Sequence, residues 1–121
     1  MKLISRLEGD LVIARFVPQD GHQGWPGITH GGIIAALLYE VMENYSYQHG
    51  IAAMMRGMET TFHRPIKTVL ASTAKSWLVE ESGRAMKVAG SLTDEDEEVL
   101  ARGQAELLVL SEEQKEKLGT S

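Results

Sequence analysis

With 121 residues and 43% hydrophobic content, the chain can bury a proper core and is expected to form one domain over residues 1–121. Twelve Lys and Arg against seventeen Asp and Glu give a formal charge of -5 without a basic stripe, which excludes a nucleic-acid footprint. The absence of cysteine excludes disulfides, Cys-based zinc sites and a cysteine nucleophile.

The opening Met1-Lys-Leu-Ile-Ser-Arg6 is too short and polar for a signal peptide, and no apolar run reaches about 18 residues, so a cytoplasmic protein without a membrane span is expected. Leu3 to Glu8 and Asp10 to Val17 are β-rich runs, and Glu8-Gly-Asp10 between them reads as a hairpin turn. Pro18 to Gly27 is dense in Gly and Pro and reads as a loop.

Pro26 to Tyr47 then carries the only long helical pattern. Gly31-Gly32 before an apolar run signals its start, and Gly50 after His49 signals a left-handed C-terminal cap. At about 100° per residue, Ile33, Ile34, Leu37, Leu38, Val41 and Tyr45 fall on one face, which reads as core. Ala35, Ala36, Tyr39, Glu43 and Ser46 fall on the other, where the two alanines suit close packing or room for a ligand. Two glycines at the helix start let a ligand approach the backbone, where the N–H groups and the helix dipole favour a carbonyl oxygen, an oxyanion or a phosphate.

Past the helix, Met54 to His63 reads as extended and Arg64-Pro-Ile-Lys67 as a turn. Val69 to Glu80 is a long strand ending at Glu81-Ser-Gly83, Arg84 to Thr93 is another, and Val99 to Leu110 is the last. The acidic run Asp94 to Glu98 reads as a solvated turn rather than a metal site, and His22, His49 and His63 lack paired ligand spacing. Ser111 is placed as an N-cap for a short helix to Leu118. Strands, one long central helix, then at least four strands predict an α+β domain with the helix lying against one antiparallel sheet.

The segment His22-Gln-Gly-Trp-Pro-Gly-Ile-Thr-His-Gly-Gly-Ile-Ile-Ala-Ala-Leu-Leu38 resembles the signature of the hotdog-fold acyl-CoA thioesterases of the phenylacetate-pathway and 4-hydroxybenzoyl-CoA type. Thr60-Thr-Phe-His-Arg-Pro65 is similar to the strand that this family ends with an aromatic, two variable residues and Pro, and Leu92-Thr-Asp94 with Val99-Leu-Ala101 to its last hairpin. The resemblance implies a sheet wrapped around the central helix, in a homodimer or homotetramer with active sites shared between subunits. It implies hydrolysis of an acyl-CoA or aryl-CoA thioester, with no cofactor and no metal.

Carried over by position, Gly31 or Gly32 would donate a backbone N–H to the thioester carbonyl, His30 would shape the loop, and Gln23 would lie near the carbonyl or the attacking water. Such an oxyanion hole is worth about 3–4 kcal/mol of transition-state stabilisation. The chain departs from the family nine residues after His30, where an Asp or Glu usually acts as nucleophile or general base and Tyr39 stands here. Glu40 is rotated by about 100° from that position, whereas Glu43 lies one turn further on the same face. Ten residues before Pro65, where relatives often have Ser or Thr, this chain has Met55. The candidate catalytic residues are thus Gly31, Gly32, Glu43, Glu40 and Tyr39, and the candidate substrate-binding residues Gln23, His30, Trp25, Met55 and Arg64. Three functions stay open: hydrolysis with Glu43 or Glu40 as base, non-hydrolytic binding of acyl-CoA by a chain that has lost the helix acid, and a purely structural homo-oligomer whose cavity Tyr39 and Met55 fill. Trp25 either lines an acyl pocket or pins its loop, and Arg64 either meets CoA phosphates or is solvated.

Overall fold

The computed structural model describes residues 3–17, 30–63 and 71–119. Strands β1 (Ser5–Glu8) and β2 (Leu11–Phe16) precede helix α1 (His30–Gln48), after which come β3 (Ala53–Phe62), β4 (Ser72–Ser82), β5 (Ala85–Thr93), β6 (Val99–Val109) and helix α2 (Glu112–Lys117). The strands form one six-stranded sheet in the order β1-β2-β4-β5-β6-β3, antiparallel throughout. Among the described residues, expected and observed elements agree in type and order, with strand ends that coincide or differ by up to three residues. The strand expected from Val69 starts within the described residues at Ser72 and continues to Ser82.

Period-two alternation gives the sheet one face for α1. Val12, Ala14 and Phe16 of β2, Ala74 and Ser76 of β4, and Met86, Val88 and Leu92 of β5 are buried, while Arg15 and Lys87 between them are exposed. On α1, the expected core face is buried in full: Ile33, Ile34, Leu37, Leu38, Val41 and Tyr45. Each such Leu or Ile contributes about 1.5–3 kcal/mol relative to an exposed side chain.

The helix sits low on the sheet because one cross-strand row beneath it is built of small residues. Ser76, Gly90, Gly103 and Thr60 are in register across β4, β5, β6 and β3. Ser76 Oγ donates to the Val41 carbonyl at 2.6 Å, fixing the height of the helix. A Cβ at Gly90 would lie 2.8 Å from Met42 Cγ, and one at Gly103 would lie 2.9 Å from Met42 Cε. Met42 is fully buried over these glycines. One expectation is corrected here. Ser46, expected on the open face of α1, is buried and donates its hydroxyl to the Glu43 carbonyl at 3.1 Å.

At the C-terminus of α1, Gly50 takes φ 71°, a left-handed conformation that glycine adopts without a Cβ penalty. The Ile51 N–H then reaches the Ser46 carbonyl at 2.8 Å, capping the helix as expected. Gln48 Nε2 donates to the backbone carbonyl and hydroxyl of Ser5 at 3.0 and 3.1 Å, tying this end to β1. The acidic run is a turn in which Asp94 Oδ1 accepts from the N–H groups of Asp96 and Glu98. Ser111 caps α2 in a reciprocal box with Gln114. Among the described residues, no helix is long and apolar enough to cross a membrane.

Candidate functional site

Helix α1 begins at His30, so Gly31 and Gly32 lie within its first turn rather than ahead of it. The N–H groups of a first helical turn point along the axis toward the N-terminus, where the dipole is positive. Gly31 is half-buried and Gly32 exposed. Gln23, Trp25, Arg64 and the His30 side chain lie outside the described residues.

Following the open face of α1 from this turn, the half-buried Ala35 and Ala36 give way to Tyr39 and then Glu43. Opposite them runs β3, which lies at the edge of the sheet among the described residues. Its pairing with β6 slips between Met55, opposite Leu107, and Gly57, opposite Glu106, so Arg56 is a bulged residue. Uninterrupted alternation from Ala53 and Met55 would turn Gly57 and Glu59 toward the helix. The bulge instead places Met58 opposite the buried Ala105 and Thr60 opposite Gly103, so that Met58 and Thr60 take the inward side. Arg56 is left exposed and ion-paired with Glu106.

Between α1 and β3 lies a cleft of about 590 Å³, walled by Tyr39 and Glu43 from the helix and by Ala53 and the run Met54 to Met58 from the strand. The structure therefore joins three of the expected site residues, Tyr39, Glu43 and Met55. Glu40, half-buried, is not among the residues that wall the cleft. Tyr39 and Glu43 stand one turn apart on the same side of α1, and both side chains wall the cleft. The nearby Glu43 carboxylate, as acceptor and as charge, then partial desolvation and the Glu40 charge hold the phenol above its ordinary value of 10.0. At neutral pH Tyr39 is therefore protonated, and the cleft presents a carboxylate beside three methionine side chains.

Two residues escaped sequence reasoning. Arg56 enters the cleft wall and Thr60 faces the helix only because of the bulge, which the sequence marks by nothing stronger than the adjacent Gly57. The Thr60 hydroxyl is buried and has no hydrogen-bond partner among the described residues. Chemically, a carboxylate in a partly apolar cleft can take a proton from water, while a helix N-terminus on the same element can stabilise a developing oxyanion. Among the described residues, no group of three or more His, Asp or Glu is gathered to hold a metal ion.

The sequence profile of the thioesterase superfamily matches residues 26–101, from the segment leading into α1 to the start of β6. The chain belongs to the thioesterase superfamily. Its antiparallel sheet packed on one long helix is the hotdog fold, shared with solved relatives. A thioesterase superfamily protein is 28% identical with a TM-score of 0.73 over 89% of this chain, although the chain spans only 53% of that protein's length. A Streptococcus mutans protein solved with acetyl CoA is 20% identical, with a TM-score of 0.71 over 91% of this chain and 88% of its own. A variant of the phenylacetic acid degradation protein of Thermus thermophilus is 19% identical, with a TM-score of 0.74 over 90% of this chain and 94% of its own. At these identities the last two show the fold alone. No curated protein matches the chain by sequence.

Proposed function

We propose that this chain, as a single hotdog domain, hydrolyses an acyl-CoA or aryl-CoA thioester to the free acid and CoA. The observation that carries the assignment is the Glu43 carboxylate in the α1–β3 cleft, one turn beyond the position where the family usually keeps its acid. The thioester carbonyl sits at the first turn of α1 and accepts a hydrogen bond from the Gly31 or Gly32 N–H. Glu43 lies about 17 Å along α1 from these N–H groups, so Glu43 of the partner subunit is the one that removes a proton from water, and the water oxygen bonds to the carbonyl carbon. The C–S bond then breaks, and the proton passes to the departing CoA sulfur. Gln23 orients the carbonyl or the water, His30 shapes the loop, Trp25 and Met55 flank the acyl group, and Arg64 meets the CoA phosphates.

The relative solved with acetyl CoA supports an acyl-CoA ligand for this fold. The ten residues of β3 form a sheet edge beside the cleft, which supports a site completed by a second copy in a homodimer or homotetramer. Tyr39 in place of the usual acid favours one further reading, a non-hydrolytic acyl-CoA binder. The test is release of free thiol from short, long and aromatic acyl-CoA esters by the natural protein, with Tyr39→Asp in parallel. Turnover by the natural protein supports the thioesterase. Turnover by Tyr39→Asp alone overturns it in favour of the binder.

A further inference from the structure

The sheet face turned away from α1 carries no covering helix among the described residues. Part of it is apolar: Trp77 on β4 is 37% exposed, and Val79, bulged out of the pairing with β5, is 50% exposed. Leu11 and Ile13 of the neighbouring β2 alternate onto the same side. Charged residues cross the rest of the face in register. Lys75, Ser91 and Arg102 form one row over β4, β5 and β6, Trp77, Ala89 and Gln104 form the next, and Glu80, Lys87 and Glu106 form the third. Glu80 is 3.9 Å from Lys87 and Glu106 pairs with Arg56, whereas Lys75 and Arg102 make no ion pair among the described residues.

We propose that on this outer face two copies of the chain pack sheet on sheet, related by a two-fold axis that runs across the strands along the row of Trp77, Ala89 and Gln104. Rotation about that axis keeps each strand over its own counterpart and lays the first row over the third. Trp77 then meets Trp77 of the partner subunit, Lys75 meets Glu80 of the partner subunit, and Arg102 meets Glu106 of the partner subunit. A two-fold axis along β5 would instead lay Lys75 on Arg102 and Glu80 on Glu106, like charge on like, which disfavours it. The face is therefore complementary to itself in one arrangement, and this is what points to a second copy as its occupant. Strands β2, β4, β5, β6 and β3 at about 4.8 Å spacing span about 24 Å, and β4 from Thr73 to Ser82 runs about 30 Å. Each face thus offers about 700 Å², and the pair about 1,400 Å², which is within the range of specific interfaces. Because α1 lies on the other side of the sheet, this packing doubles whatever assembly forms through the β3 edge.

The test is sedimentation velocity of the natural protein and its variants over a range of protein concentrations. Trp77→Glu, which sets a charge at the centre of the packing, is expected to halve the natural subunit number. Arg102→Glu sets a carboxylate against Glu106 of the partner subunit and should raise the dissociation constant of this contact by about 100-fold or more. Glu106→Arg alone fails in the same way, with guanidinium against guanidinium. An equimolar mixture of Arg102→Glu and Glu106→Arg restores the natural subunit number, because every carboxylate then faces a guanidinium; a fold defect in either variant would not be repaired by mixing. A natural protein that sediments as a monomer, single variants that keep the natural subunit number, or a mixture that does not regain it overturns the proposal. The outcome is independent of whether the protein hydrolyses thioesters.

Discussion

Substituting Gly90 by alanine tests the seat on which α1, and with it Tyr39 and Glu43, is carried. The new methyl would lie 2.8 Å from Met42 Cγ, 3.1 Å from Met42 Sδ and 3.5 Å from Leu38 Cδ2. The nearest atom is the middle of a fully buried side chain, so Met42 cannot swing its tip aside; the helix or the strand must yield. Overpacking of this kind costs about 1–3 kcal/mol. Removing a glycine from the unfolded chain returns about 0.5–1 kcal/mol, because Gly90 has no positive φ and alanine fits the backbone. The expected net loss is about 1–2 kcal/mol, or roughly 4–8 °C in Tm for a chain of this size. At Gly103 the nearest atom, at 2.9 Å, is the terminal Met42 methyl, which can move, so Gly103→Ala should cost less. Denaturant unfolding of both variants, alone and in a Met42→Ala background, supplies the measurement. With Met42 truncated, Gly90→Ala should become neutral or stabilising, since its methyl then fills the space. Equal stability of Gly90→Ala and the natural protein, or a larger loss at Gly103 than at Gly90, would refute the reasoning.

The choice of base predicts that Glu43→Gln lowers the rate of thioester hydrolysis by about 100-fold or more, whereas Glu40→Gln, outside the cleft wall, leaves it within about threefold; steady-state thiol release distinguishes them. Alkaline stability should reflect two phenols. Tyr39, through Glu43, and Tyr45, through burial and then the charges of Asp10 and Glu81, are both held above 10.0 in the folded chain. The native state then keeps protons that the unfolded state releases, so stability is fully present below about pH 10 and falls as pH rises further. Urea unfolding from about pH 8 to 11 should show this decline flattened in the Tyr39→Phe/Tyr45→Phe variant, and an unchanged decline would count against it. Ser111→Ala removes a cap worth about 1 kcal/mol. Because α2 buries no residue, the expected loss is local, seen as faster amide exchange at Lys115 and Leu118 with global Tm unchanged.

Much of this molecule is written in local signals. Helix α1 follows from a run of apolar residues at helical spacing closed by Gly50, the strands from period-two alternation between turns, and α2 from Ser111 and Gln114. These depend on neighbours a few residues apart, which a sequence displays directly. The position of Tyr39 relative to His30, and of Glu43 one turn on, was likewise legible from helical geometry.

What required the tertiary structure was everything set by register between distant segments. Met42 lies on the apolar side of α1, but only the meeting of Gly90 and Gly103 under it decides that it is core and not ligand lining. Ser46 is polar and yet buried because its hydroxyl finds a carbonyl within its own helix. The bulge at Arg56 shifts the inward side of β3 by one residue, bringing Met58 and Thr60 to the helix in place of Gly57 and Glu59. The sequence by itself determined the helix, the strands and the order of the cleft's residues along α1, because those are local periodicities. The structure alone decided which residues of β3 face them, because a single extra residue in one strand reverses every side chain beyond it.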